Sequence, residues 1–201
     1  MNNLFTIARE QALMTELSFF SVEPGWKKTF NEFINDIQVA RQAIRGVDYQ
    51  KVMLYHSDSY LYCIYFFALG LEKRHIVLPP NAQPETLQQL AEYCDAMMGE
   101  ASFSQMPSIS LSCDLSAQPH FASYLSAEEL FKYFDTDITF FTSGSTGKAK
   151  AIQKHSNQLL SEVDILADCF QSVVKQSDIL VSTVSHQHIY GLMFKLLLPL
   201  R

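Results

Sequence analysis

At 201 residues the chain has the length of one ordinary domain, or of one domain and part of another, because a single core gains little beyond about 250 residues. Apolar residues make up 48% and charged residues 18%, which excludes a disordered chain, and a formal net charge of −6 leaves no broad basic face to neutralise a nucleic-acid backbone. Nucleic acid is therefore not an expected partner. Cys63, Cys94, Cys113 and Cys169 stand far apart without a C-x-x-C pair, against a zinc knuckle, a thioredoxin-type motif or a disulfide framework, so reduced thiols and a cytoplasmic location are the default.

The N-terminus, MNNLFTIARE, has no basic segment followed by a long apolar stretch and a small-residue cleavage site, so no secretion signal is read there. In PGWKKTFNEFINDIQVARQAIRG the residues Trp26, Phe30, Phe33, Ile34, Ile37 and Ile44 follow a period near 3.6 and predict an amphipathic helix between Pro24-Gly25 and Gly46. A short buried strand is expected at Val52 to Tyr55, a helix after Ser57 or Asp58, and a second strand at Ile76 to Leu78 that two prolines end: a βαβ unit. The apolar run Tyr60 to Leu71 is too short for the roughly 20 residues that a bilayer demands, so it predicts a buried core helix and no membrane span.

Pro84 leads a further helix with Leu87, Leu90, Ala91 and Cys94 on one face. Residues 101–127, sprinkled with Ser, Pro and Gln, read as a connecting excursion. DITFF from Asp137 predicts a strand. A helix follows behind a Ser156 cap, with Leu159, Leu160, Val163, Leu166, Ala167 and Phe170 at helical spacing, and Asp178 to Val184 predict the next strand. Strands alternating with helices imply an α/β fold with a mostly parallel sheet flanked by helices, and no solenoid repeat is present. In such sheets ligands sit beyond the carboxyl ends of the strands.

The run FFTSGSTGKAKAIQKH, from Phe140 to His155, occupies that position. Gly144 and Gly147 let the backbone approach a ligand closely. Thr142, Ser143, Ser145 and Thr146 bring hydroxyls, and Lys148, Lys150 and Lys154 bring positive charge to an acidic chain. Two readings are open: a solvated Gly/Ser turn, or a cradle for an anion. A Walker loop is excluded because Thr142 stands where its first Gly belongs and Ala149 follows Lys148; a nucleophile elbow is excluded because Gly144 abuts Ser145. His186 and His188 follow the last predicted strand. A period of two would put both imidazoles on one side, as in an H-x-H metal pair, but no acidic or cysteine partner stands near, and a packing or hydrogen-bonding role competes with ligation. No metal ligand is named.

FTSGSTGKAK resembles the phosphate-loop signature of the adenylate-forming (ANL) superfamily, [YF]-T-S-G-[ST]-T-G-x-P-K, with Ala149 in the proline slot. KVMLYHSDSYLYCIYFFALGLEKRHIVLPPNAQPETLQQL is similar to that family's early strand–helix–strand segment, and STVSHQHIYGLMFKLLLPL to its next motif in an acyl-CoA synthetase-like His-x-x-Gly form. The resemblance implies part of the large N-terminal domain of an adenylate-forming enzyme. The implied function is an acid–thiol ligase, which turns a carboxylic acid and ATP into an acyl-adenylate and pyrophosphate and then acylates the thiol of CoA or of a phosphopantetheine carrier protein. It implies Thr142, Ser143, Gly144, Ser145, Thr146, Gly147, Lys148 and Lys150 as the ATP-phosphate set, Thr146 and Lys150 as catalytic residues, and His188, Tyr190 and Gly191 as the acyl-binding set, with Mg²⁺ accompanying ATP.

The family's adenine-reading segment, ribose-binding aspartate and C-terminal lysine lie downstream of the matched motifs. The expectation is thus that residues 1–201 are the N-terminal portion of an adenylation domain, cut at its C-terminal end, and inactive alone. A catalytically incomplete nucleotide- or acyl-binding module is the rival reading. Leu192, Met193, Phe194, Leu196, Leu197, Leu198 and Leu200 in the tail lead to a further expectation, that an exposed apolar patch drives self-association.

Overall fold

The structure, a computed structural model, describes residues 5–9, 17–21, 27–101, 103–111, 125–142, 150–172 and 182–201. Strands β1 (Phe5–Arg9), β2 (Leu17–Ser21) and β3 (Lys27–Thr29) form a small antiparallel sheet in that order. Helix α1 (Phe30–Arg45) starts later than its apolar period predicts, because Thr29 caps it. The Thr29 hydroxyl accepts from the Glu32 amide while the Glu32 carboxylate accepts from the Thr29 amide at 2.7 Å, a reciprocal capping box.

The main sheet holds β4 (Lys51–Tyr55), β5 (His75–Leu78), β6 (Ala96–Gly99), β7 (Ser108–Ile109), β8 (Asp137–Thr142) and β9 (Lys150–His155) in the order β7-β6-β4-β5-β8-β9. All neighbours are parallel except β9, which returns antiparallel beside β8. Between strands lie α2 (Ser59–Leu71), α3 (Pro84–Ala91) and α4 (Ala127–Tyr133); α5 (Ser156–Phe170) follows β9. The chain closes with α6 (Ile189–Gly191), a π-helical segment (Leu192–Leu197) and α7 (Leu198–Leu200).

Strand alternation divides the core between the two faces of the sheet. Val52, Leu54, Ile76, Leu78, Ala96, Met98, Ile138 and Phe140 face the larger cluster with α1 and α2; Met53, Val77, Met97 and Phe141 face a smaller one with Leu87 and Leu90 of α3. Helix α2 is apolar on every side because it is enclosed, as its unbroken run predicts. Phe66 and Phe67 of α2 meet Phe134, the residue that ends α4, at ring distances of 4.9 and 5.4 Å, and a Cβ on Gly70 would lie 2.0 Å from that Phe134 ring.

Several expectations change. The helix expected to reach Cys94 stops at Ala91, because Asp95 turns back to accept from the amides of Gln50 and Lys51 and starts β6 against β4. The excursion expected over 101–127 contains β7. The cap of α5 is His155, whose ring accepts from the Asn157 amide; Ser156 is buried inside the helix and accepts from the Thr136 amide instead. Of the strand expected at Asp178 to Val184, residues 178–181 lie outside the described residues, and Ser182 to Val184 are not in a strand. Leu192, Met193, Leu196, Leu197 and Leu200 are buried within the chain and Leu198 half-buried, so the patch that motivated self-association shrinks to Phe194 and its neighbours.

Candidate functional site

The carboxyl end of β8 is Thr142, and its antiparallel partner in register is Lys150, the first residue of β9. The candidate phosphate loop is therefore the tip of a hairpin beyond the carboxyl end of a parallel strand. Thr142 and Lys150 mark its two feet, with Lys150 exposed; Ser143, Gly144, Ser145, Thr146, Gly147 and Lys148 lie outside the described residues. Lys154, grouped with this loop by sequence, stands four residues down β9, about 13 Å away, and pairs with Glu162.

Other strand ends converge on the same edge of the sheet. Beyond β4 and β6, the Glu100 carboxylate accepts from the amide and the hydroxyl of Ser57, both at 2.8 Å, tying the two exits together. His56 accepts at Nδ1 from the Asp58 amide at 3.0 Å, and burial lowers its pKa against the pull of Glu100 and Asp58. Asp58 caps α2 by accepting from the Leu61 amide.

The two histidines part company. Residues 185–188 form a turn and not a strand, so the period of two fails: His186 is 3% exposed, while His188 is exposed and precedes α6. His186 contacts the His56 carbonyl through Nε2 at 2.7 Å and the Ser59 hydroxyl through Nδ1 at 2.9 Å. A carbonyl only accepts, so Nε2 carries the proton and Nδ1 accepts from Ser59. Burial pulls the His186 pKa down to about 4, so the ring is neutral. Gln187 donates to the same His56 carbonyl at 2.8 Å.

Gly191 is buried beneath this turn: a Cβ there would sit 2.0 Å from the Ser185 carbonyl oxygen, which makes it a packing position. Tyr190 points outward, 71% exposed, and with Ile165, Leu166, Ile189, Met193 and Phe194 lines a mostly apolar groove of about 410 Å³ between α5 and the C-terminal helical segments, with Glu162 as its one charged member. Tyr190 stacks on Phe194 at 6.3 Å. Of the three residues in the implied acyl set, Tyr190 thus borders the groove, Gly191 supports the turn, and His188, exposed at the start of α6, is not among the groove's lining residues.

His186 takes the packing and hydrogen-bonding role that the sequence left open for the two histidines, whereas Lys195 was not singled out. Lys195 is buried in the π-helical segment, where burial lowers its pKa against the opposing influence of Cys63 and Asp58. A lone lysine inside a leucine-rich run was the available signal. Among the described residues no group of three or more His, Cys, Asp and Glu side chains converges as a metal site, and no helix is long and apolar enough to cross a membrane.

This mostly parallel sheet with helices on both faces has the fold of the N-terminal part of solved adenylation domains. The adenylation domain of a keto acid-selecting NRPS module, solved bound to keto acyl adenylate, superposes with a TM-score of 0.62 at 14% identity, over 89% of this chain and 36% of that one. The N-terminal subdomain of NpsA from Klebsiella oxytoca, in complex with 3-hydroxybenzoyl-AMSN, superposes with a TM-score of 0.50 at 16% identity, over 68% of this chain and 36% of that one. The chain thus spans little more than a third of the length of these structures. No family model matches the sequence, and no curated protein matches it.

Proposed function

We propose that residues 1–201 are the N-terminal portion of an adenylation domain that activates a small carboxylic acid with ATP, forming an acyl-adenylate and pyrophosphate, in a protein that then acylates the thiol of CoA or of an acyl carrier protein. The observation that carries this reading is the hairpin: Thr142 and Lys150, opposite each other at the carboxyl end of β8, bracket the TSGSTGKAK run. Lys150 is exposed and makes no ion pair among the described residues, which leaves its ammonium for a phosphate. Bound ATP would supply the α-phosphate that the acid's carboxylate attacks.

Lys150, with Lys148 and the hydroxyls and amides from Thr142 to Gly147, would hold the β- and γ-phosphates and stabilise the charge that gathers on the departing pyrophosphate. Mg²⁺ would enter with the phosphates, whose oxygens are the ligands it prefers. The groove beside Tyr190 is the candidate subsite for the acyl group, and its lining favours an apolar acid. A cytoplasmic location suits a consumer of ATP and CoA.

Carboxylate-dependent pyrophosphate exchange tests the reading in the full-length protein. Lys150→Ala should lower exchange about 10- to 100-fold, the worth of one charge-assisted hydrogen bond, with the KM for the acid little changed. Thr146→Ala should act in the same direction. Unchanged exchange in both variants would refute the loop's role, and ATP binding without exchange in the parent would favour an incomplete binding module.

A further inference from the structure

The turn at residues 185–188 is held more firmly than a four-residue connection requires. His186 offers a donor to the His56 carbonyl at 2.7 Å and an acceptor to the Ser59 hydroxyl at 2.9 Å, and its ring lies 4.5 Å from that of Tyr62. Gln187 donates to the same carbonyl, and Gly191 lets the Ser185 carbonyl press against the helix start. The anchor points belong to the exit of β4 and the first turn of α2, the most enclosed helix of the fold. His188 and Tyr190, which leave this clamped segment outward, make no cap bond and line no core.

We propose that His186 is a positioning residue for acid binding: by seating the turn on the His56 carbonyl and the Ser59 hydroxyl, it fixes where His188 starts α6 and the direction in which Tyr190, two residues on, reaches the groove between α5 and the C-terminal helical segments. The proposal rests on the reading of that groove as the acid subsite. Histidine suits the task because one rigid ring donates on one edge, accepts on the other and packs at a 50° tilt against the Tyr62 ring. Glutamine can reproduce the bond to the carbonyl; phenylalanine keeps the packing and loses both bonds.

Two measurements decide it. In the full-length protein, His186→Phe should raise the KM for the acid about ten-fold while leaving the KM for ATP unchanged, and His186→Gln should recover most of the loss. Gln187→Met, which removes the second donor to the same carbonyl, should shift the acid KM the same way by less, and it stands in should the Phe variant fail to fold. An acid KM unchanged in these variants, or an equal loss for both substrates that glutamine does not rescue, overturns the proposal. In the 201-residue chain, the His188 ring resonances in ¹H–¹³C spectra should move in His186→Phe and return in His186→Gln. Resonances that stay in place overturn the proposal whether or not the protein adenylates anything. A parent with no pyrophosphate exchange for any acid refutes the adenylation reading, and the spectra then decide the positioning on their own.

Discussion

His186 shows how one buried side chain makes stability depend on pH. An imidazole whose pKa falls from its ordinary 6.5 to about 4 on folding binds a proton more readily in the unfolded chain, so the folded state loses stability as pH drops through that interval and loses no more below it. Over the whole interval the loss is roughly 3 kcal/mol. His56 and His75, whose pKa values burial also lowers, act with the same sign. Urea midpoints measured between pH 7 and pH 4 should therefore fall, and His186→Gln should flatten the part of the curve below pH 6.5. A second residue-scale expectation concerns Gly191: alanine would push a Cβ into the Ser185 carbonyl, so Gly191→Ala should cost about 1–3 kcal/mol in chemical denaturation. The packing role of Gly191 was not legible in the sequence, and a hydrogen-bonding role was open to both histidines without telling which would take it. His186 and His188 look alike in SHQHIYG, and only the turn sends one inward and the other out.

Among the elements, those with a strong period or an uninterrupted apolar run could be read directly: α2 from its run, α3 from Pro84, and β4, β5 and β8 from short β-rich stretches. Elements whose cause lies elsewhere could not. The residues of β6, AMMG, carry no β-branched side chain and become a strand because Asp95 turns the chain onto β4, between core clusters that take Ala96 and Met98 on one face and Met97 on the other. Strand β9 is polar and largely exposed, and pairing with β8 makes it a strand where composition reads as loop. Two boundaries had a readable signal that apolar spacing obscured: Thr29 with Glu32 before α1, and Ser126 with Glu129 before α4. The first box is testable, since Thr29→Ala should lower stability by about 1 kcal/mol without shifting the spectrum of the folded protein.

For the molecule as a whole, the sheet order and the enclosed α2 matter most, and Phe134 is where distant segments meet. It is almost fully buried against Phe66 and Phe67 and fills the space that Gly70 leaves. Phe134→Ala should cost about 3–5 kcal/mol in equilibrium unfolding, among the largest single losses in this fold. The class of fold was legible because strand and helix alternate along the chain. The order of the strands was not, because it depends on pairings between segments far apart in sequence. The β8–β9 hairpin carries a further consequence. The pairing of Thr142 with Lys150 belongs to a six-pair register between β8 and β9, so the strands' own pairing sets where the two ends of the intervening seven residues stand. Substitutions within these seven residues should therefore change phosphate binding with little change in the register of the strands on either side.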